Sequence, residues 1–171
     1  MNLETQQLVL DPITETDWAL FKALHTIPAV IEKCFDAPSD DELKAKFHAR
    51  LQAWTPDSGA WLTLVIKEKA SGEKVGITGF FVDQGIAEMG YLLMPEFYGK
   101  GYGTESLRVV IDWAEEELGL ALFRAVVTEG NIASERVLEK CGFRLQEKIP
   151  EAYEIGGQLY ADHIYQRVST G

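Results

Sequence analysis

In the run Gly90-Tyr91-Leu92-Leu93-Met94-Pro95-Glu96-Phe97-Tyr98-Gly99-Lys100-Gly101-Tyr102-Gly103-Thr104-Glu105-Ser106-Leu107, a strand-like stretch enters a loop with glycine at every second position, and the loop enters a helix. Residues without a side chain let backbone N–H groups close on an anion, and the helix dipole adds partial positive charge there. The segment reads as a cradle for phosphate or pyrophosphate. Two better-known cradles do not fit. The P-loop requires Gly-x-x-x-x-Gly-Lys-Ser/Thr, whereas Lys100 is followed by Gly101. In the dinucleotide fingerprint Gly-x-Gly-x-x-Gly the last place would fall on Thr104. A glycine-rich connection demanded by chain geometry alone stays open as the plainer reading.

A second segment, Asn131-Ile132-Ala133-Ser134-Glu135-Arg136-Val137-Leu138-Glu139-Lys140-Cys141-Gly142-Phe143, has Asn131 placed to cap a helix and Gly142 placed to stop it. Ala133, Val137 and Cys141 share its core-facing side. Other chemistries find no support. His25, His48 and His163 share no ligand spacing, so no metal site is expected. No Gly-x-Ser-x-Gly elbow is present. Cys34 and Cys141 are too few for a disulfide framework and read as core thiols.

These segments must be positioned by a fold, and 171 residues imply one domain, taken as 1–171. With 46% hydrophobic and 25% charged residues and a mean hydropathy of -0.08, the chain has an ordinary globular composition. No apolar run approaches the roughly 20 residues a membrane span needs, and the N-terminus shows no secretory pattern, so a cytoplasmic protein is expected. A net charge of -11 argues against direct nucleic-acid binding. Strands are predicted over 7–10, 61–67, 74–82, 87–93, 122–128, 143–147 and 158–168. Helices are predicted over 15–25, from Pro28 through Phe35, from the capping box at Ser39 to about Trp54, after the glycine loop to Leu118, and over 132–140. In the long helix Leu107, Val110, Ile111, Ala114 and Leu118 recur at helical spacing, and Glu115-Glu116-Glu117 reads as its solvated face. The class is α/β with a mixed sheet.

The two segments together resemble the GNAT superfamily of N-acetyltransferases, in particular its branch of ribosomal-protein serine and alanine N-terminal acetyltransferases. The resemblance runs from Leu8-Val9-Leu10 to Asp162-His163-Ile164-Tyr165. It implies a mixed, largely antiparallel sheet flanked by helices, and acetyl-CoA as cosubstrate. In the family the pyrophosphate loop has the form Gln/Arg-x-x-Gly-x-Gly/Ala. Here Tyr98-Gly99-Lys100-Gly101-Tyr102-Gly103 matches both glycines, with Tyr98 where Gln or Arg is usual. The resemblance assigns cofactor contacts to Tyr98, Gly99, Lys100, Gly101, Gly103, Thr104, Asn131 and Ser134. It assigns the backbone of Leu92, Leu93 and Met94, at the splayed end of their strand, to the pantetheine amides and the thioester carbonyl. It also places Leu138 where many members carry a tyrosine general acid, so Ser134 is the expected proton donor to the leaving thiolate, with water or a tyrosine such as Tyr153 as its substitute.

An amine with a pKa of roughly 10.4 must lose a proton before it can attack. Glu88, on the strand leading to the cofactor, is the candidate base. Where family members show a glutamate three residues past the phenylalanine this chain has Gln146, and Glu147 beside it faces the other way by strand parity. The expected acceptor is a primary amine, either a protein N-terminus or a small cationic amine of polyamine type. A CoA-binding sensor without turnover is the rival class, and a homodimer is among the partners considered. Residues 1–60 carry 10 acids and 5 bases against 9 and 7 in 100–150. The resemblance places the first segment around the acceptor with Trp54 in its pocket, which predicts an acidic rim attracting cationic amines.

Overall fold

A computed structural model describes residues 1–169, so the domain's last two residues lie outside the described part. The strands are β1 (Leu3–Glu4), β2 (Leu8–Pro12), β3 (Leu62–Glu68), β4 (Lys74–Asp83), β5 (Ile86–Leu93), β6 (Leu122–Thr128), β7 (Arg144–Ile155) and β8 (Gln158–Val168). The helices are α1 (Trp18–Thr26), α2 (Pro28–Ile31), α3 (Asp40–Leu51), α4 (Tyr102–Leu118) and α5 (Ile132–Lys140). They build one mixed sheet in the order β1-β2-β3-β4-β5-β6-β8-β7, antiparallel throughout except for the parallel pair β5–β6.

Both faces of the sheet are covered, and β3 shows why its sequence is an unbroken apolar run. Leu64 and Ile66 point into a cluster with Phe80, Leu107, Val110, Ile111, Ala114 and Phe123 beneath α4. Val65 points the other way, into a cluster with Phe21, Leu24, Leu43, Phe47 and Ile77 beneath α1 and α3. Period-two alternation vanishes when both sides are buried. The helical repeat predicted for α4 is the buried stripe of that helix.

One local feature matters more than the rest. β5 and β6 pair only at Ile86–Leu122, Ala87–Phe123 and Glu88–Arg124. β5 then runs on to Leu93 and β6 to Thr128 without pairing, so the sheet splits between them. β6 stays bonded to β8 along its whole length, and β5 stays bonded to β4.

Four elements differ from expectation, the first being α2, which ends at Ile31 and does not reach Phe35. α3 ends at Leu51 rather than near Trp54, because Gln52 turns to extended geometry. The strand predicted to end at Glu147 continues to Ile155, forming a long hairpin with β8 through Gly156 and Gly157 at positive φ. Nearly every β7 residue is exposed, so no apolar alternation marks its length. The two-residue β1 was not anticipated.

Candidate active site

α4 begins at the glycine loop. Gly101 is its N-cap with φ 79°, and Gly99 has φ 78°. A Cβ on either would meet nothing within 4 Å, so glycine is required by backbone conformation and not by space. Gly103 is different: a Cβ there would touch Val137 at 3.4 Å and the Tyr91 ring at 3.5 Å, which seats the first turn of α4 against α5 and β5. Since no side chain caps Gly101, the first N–H groups of α4 keep their capacity for an anion.

These residues line a cavity of about 560 Å³. Leu92, Leu93, Tyr98, Gly99, Gly101, Gly103 and Thr104 form one wall, and Asn131, Ser134, Arg136 and Lys140 of the α5 segment form the other. Arg136 and Lys140, four apart on α5, bring positive charge to the loop and were not singled out from the sequence. Lys100 turns away from this cavity. Its Nζ lies 3.6 Å from the Glu68 carboxylate and 5.5 Å from the Phe97 ring centre. Glu68 also accepts the Tyr102 hydroxyl at 2.5 Å.

The backbone of β5 divides by parity. Met94 N–H donates to Val75 O at 2.8 Å and its carbonyl accepts from Phe97 N–H at 3.0 Å, so both its groups are engaged and it lines neither chamber. Antiparallel ladder bonds alternate, so Leu92 also directs its backbone to β4. Tyr91 and Leu93 direct theirs into the split. Of the three residues expected to bind pantetheine through the backbone, Leu93 has the free orientation.

A second cavity, about 310 Å³, adjoins the first. It shares Lys33, Cys34, Tyr91, Leu92, Asn131 and Ser134 with the first, so the chambers meet through the split. At that junction Asn131 caps α5, its side-chain oxygen accepting Ser134 N–H at 3.4 Å. Ser134 Oγ lies 3.4 Å from the Tyr91 hydroxyl. Burial pushes the Tyr91 pKa up, against the pull of the Ser134 contact, and keeps it a phenol. Leu138 is a buried apolar wall of the second chamber. The tyrosine missing at 138 thus has a counterpart on β5, whose reach across the split no local signal announces. Tyr153 is 40% exposed on β7 and lines neither cavity.

Glu88 lines neither cavity either. Burial pushes its carboxyl pKa up, and the Arg124 guanidinium, Nε at 3.7 Å, offsets this only in part. It lies two residues, about 7 Å, from Gly90 on the chamber wall. A register shift between Leu145 and Glu147 makes Gln146 the extra residue of a bulge and sets Glu147 opposite Ile164, so parity does not separate the two as expected. Both are exposed and line neither cavity. Trp54 is half-buried against the core, donating to Ala60 O at 2.8 Å and packing edge-on against Phe80, and it does not line the second chamber. Trp61 does.

The charge of that chamber is opposite to expectation. Lys33, Lys46 and Arg50 line it, and no carboxylate does. The acids of α3 sit at its N-terminal turn, Asp40, Asp41 and Glu42, where the helix dipole favours them. Arg50 is in the last turn, and burial pushes its pKa down to about 10. His25 is buried, its pKa pushed down to about 4 by desolvation. Its Nδ1–H donates to Phe21 O at 2.7 Å, which leaves a neutral ring with Nε2 as an acceptor.

A family profile described as an acetyltransferase (GNAT) domain matches residues 7–144. The uncharacterized N-acetyltransferase YoaA of Bacillus subtilis (strain 168) is 30% identical over 60% of this chain, and the match spans 60% of that relative's length. The spermidine N-acetyltransferase of Vibrio cholerae, in complex with CoA and spermine, superimposes with a TM-score of 0.84 at 19% identity, covering 97% of this chain and 98% of that one. The ribosomal α-N-protein acetyltransferase RimL, in complex with coenzyme A, does so with a TM-score of 0.82 at 19% identity, covering 99% and 98%. At such identities the superpositions establish the fold. Among the described residues no helix is long and apolar enough to cross a membrane.

Proposed function

The chain belongs to the GNAT acetyltransferase family, and on that premise we propose that it is an acetyl-CoA-dependent N-acetyltransferase of a single domain. The carrying observation is the pair of chambers that meet through the split sheet at Ser134. One has a helix N-terminus, Arg136 and Lys140 for a pyrophosphate, and the other is closed off from them except at the junction.

In this reading the α4 N-terminus with Gly99, Gly101, Gly103 and Thr104 holds the CoA phosphates. Leu93 and Tyr91 offer backbone groups to the pantetheine arm, and Leu92 and Tyr98 pack alongside. The amine arrives through the second chamber and attacks the acetyl carbon directly: a C–N bond forms, the C–S bond breaks, and the sulfur leaves as thiolate. Ser134 gives the thiolate its proton, and Tyr91 stands next to Ser134 to replace it. Glu88, its carboxyl pKa pushed up by burial, takes the amine's proton through intervening water.

The acceptor we propose is an α-amine, as at a peptide N-terminus, since the acid-free lining of the second chamber weighs against a polyamine. Cys34 and Cys141 are both free thiols, in keeping with a cytoplasmic setting. Pairing of two copies is part of the same reading, β7 being an edge strand with exposed Leu145, Ile149 and Tyr153, and light scattering measures it. Release of free thiol from acetyl-CoA in the presence of an amine, with one acetyl group gained by that amine in mass, tests the activity. CoA binding with no thiol release from any amine would instead establish the sensor reading, towards which Leu138 and Gln146 point.

A further inference from the structure

The second chamber holds more positive charge than acetyl transfer itself requires. The chain has 27 acids against 16 bases, yet the cations lining this cavity, Lys33, Lys46 and Arg50, meet no carboxylate on its wall. None of the three takes part in an ion pair among the described residues. Lys46 and Arg50 stand four apart on α3, where like charges repel.

Arg50 is the best defined of them. It is half-buried, one terminal nitrogen donates to Thr63 Oγ1 at 2.9 Å, and its guanidinium lies over the Trp61 ring, 5.0 Å from the centre. A guanidinium has five N–H donors in a rigid fork. That is its sole hydrogen bond among the described residues, and no buried side-chain donor is left without a partner. The remaining donors are therefore accessible, on a residue that lines the chamber. A fork held by stacking and one anchor, with its other donors free, is the geometry that receives a carboxylate through two parallel bonds.

We propose that the acceptor is an amine that also carries a carboxylate, bound by Arg50 with Lys46 beside it. The proposal deepens the acetyltransferase reading and rests on it. The carboxylate supplies the counter-charge the chamber lacks and fixes one end of the acceptor, leaving the amine free to turn towards Ser134. A polyamine brings only further positive charge. The volume, about 310 Å³, is at the small end for ligand pockets, which suits an amino acid or the first residues of a peptide.

Matched probes test this with the enzyme first saturated with CoA, so that no turnover intervenes. Calorimetry compares L-leucine with L-leucinamide and L-phenylalanine with L-phenylalaninamide. The peptide Ser-Asp-Ala-amide is compared with Ser-Asn-Ala-amide, and spermidine is titrated alone. The expected result is about tenfold or tighter binding of at least one carboxylate over its neutral partner, corresponding to one charge-assisted pair. Arg50→Gln should remove that preference with CoA affinity unchanged, and Arg50→Lys should restore part of it. A preference in the amino acids, or only in the peptides, identifies the source of the carboxylate. Equal binding of every pair, or tighter binding of spermidine than of any carboxylate, overturns the proposal and leaves the acetyltransferase reading standing. Failure of CoA itself to bind overturns that reading instead. Should Arg50→Gln not fold, the matched comparison on the unaltered protein decides alone.

Discussion

At Gly101 the backbone carries the function and a side chain would interfere. In Gly101→Asp, aspartate there would set a Cβ and a carboxylate beside the N–H groups that await a phosphate and repel it. Calorimetry should show CoA binding lost in a variant that still folds, at a cost of about 1–2 kcal/mol in thermal unfolding from the positive φ. Retained CoA affinity in a folded variant would remove the phosphate site from α4. Ser134 and Tyr91 belong to one test. Ser134→Ala should lower kcat by roughly 10² to 10⁴ with a modest change in acetyl-CoA KM, as expected for loss of a general acid. Tyr91→Phe should lower kcat less, since Ser134 keeps its hydroxyl and loses only the group that resupplies it. A near-parental Ser134→Ala sinks the assignment. Glu88→Gln should lower kcat/KM and erase its acid limb, which in the parent lies above the usual carboxylate range because burial pushes the Glu88 pKa up; an unchanged limb would exclude Glu88 as the base.

Elements with a signal at both ends were legible in the sequence. α5 runs over 132–140 as expected because Asn131 caps it and Gly142, at φ 87°, ends it. Local chemistry decides both places. The second chamber was not legible: nothing in the sequence sets Lys46 and Arg50 apart from the other charged residues of a polar helix, and only the packing of α3 over the sheet brings Arg50 to Thr63 and Trp61. Summing charge over residues 1–60 averaged an acidic helix start with a basic helix end. The start of α1 offers a test at this scale. Asp17, 5% exposed, is bound by Lys74 Nζ at 2.6 Å and accepts Thr14 N–H at 2.8 Å, tying the turn before α1 to β4. Burial raises its pKa, but Lys74 and Thr14 outweigh burial and hold it below 3.8. A depressed folded-state pKa stabilises above the unfolded value and is lost as pH falls through the folded one. Asp17→Asn should therefore cost about 1–3 kcal/mol at neutral pH and almost nothing in acid below the folded pKa. Denaturant melts at pH 7 and pH 2 measure the difference, and an equal cost at both would mean that the charge contributes nothing.

For the molecule as a whole, the sheet is both scaffold and partition. Two clusters fix its faces, and the short β5–β6 pairing leaves one opening in it. The mixed, largely antiparallel sheet could be expected from the family resemblance. The resemblance also implied a splayed end to β5, but where the opening begins could not be read from the strands, because it depends on where a parallel pair stops bonding, and β5 and β6 each look like ordinary strands along their full length. The opening also has a bearing on the order of events. Two distinct chambers joined at the split do not compete for one binding place, so neither ligand has to leave before the other arrives, and no part of the protein need hold the acetyl group in between. Initial rates measured over a grid of both substrates should give double-reciprocal lines that intersect. CoA should compete with acetyl-CoA but not with the amine. Parallel lines would mean that the acetyl group rests on the protein between two separate visits.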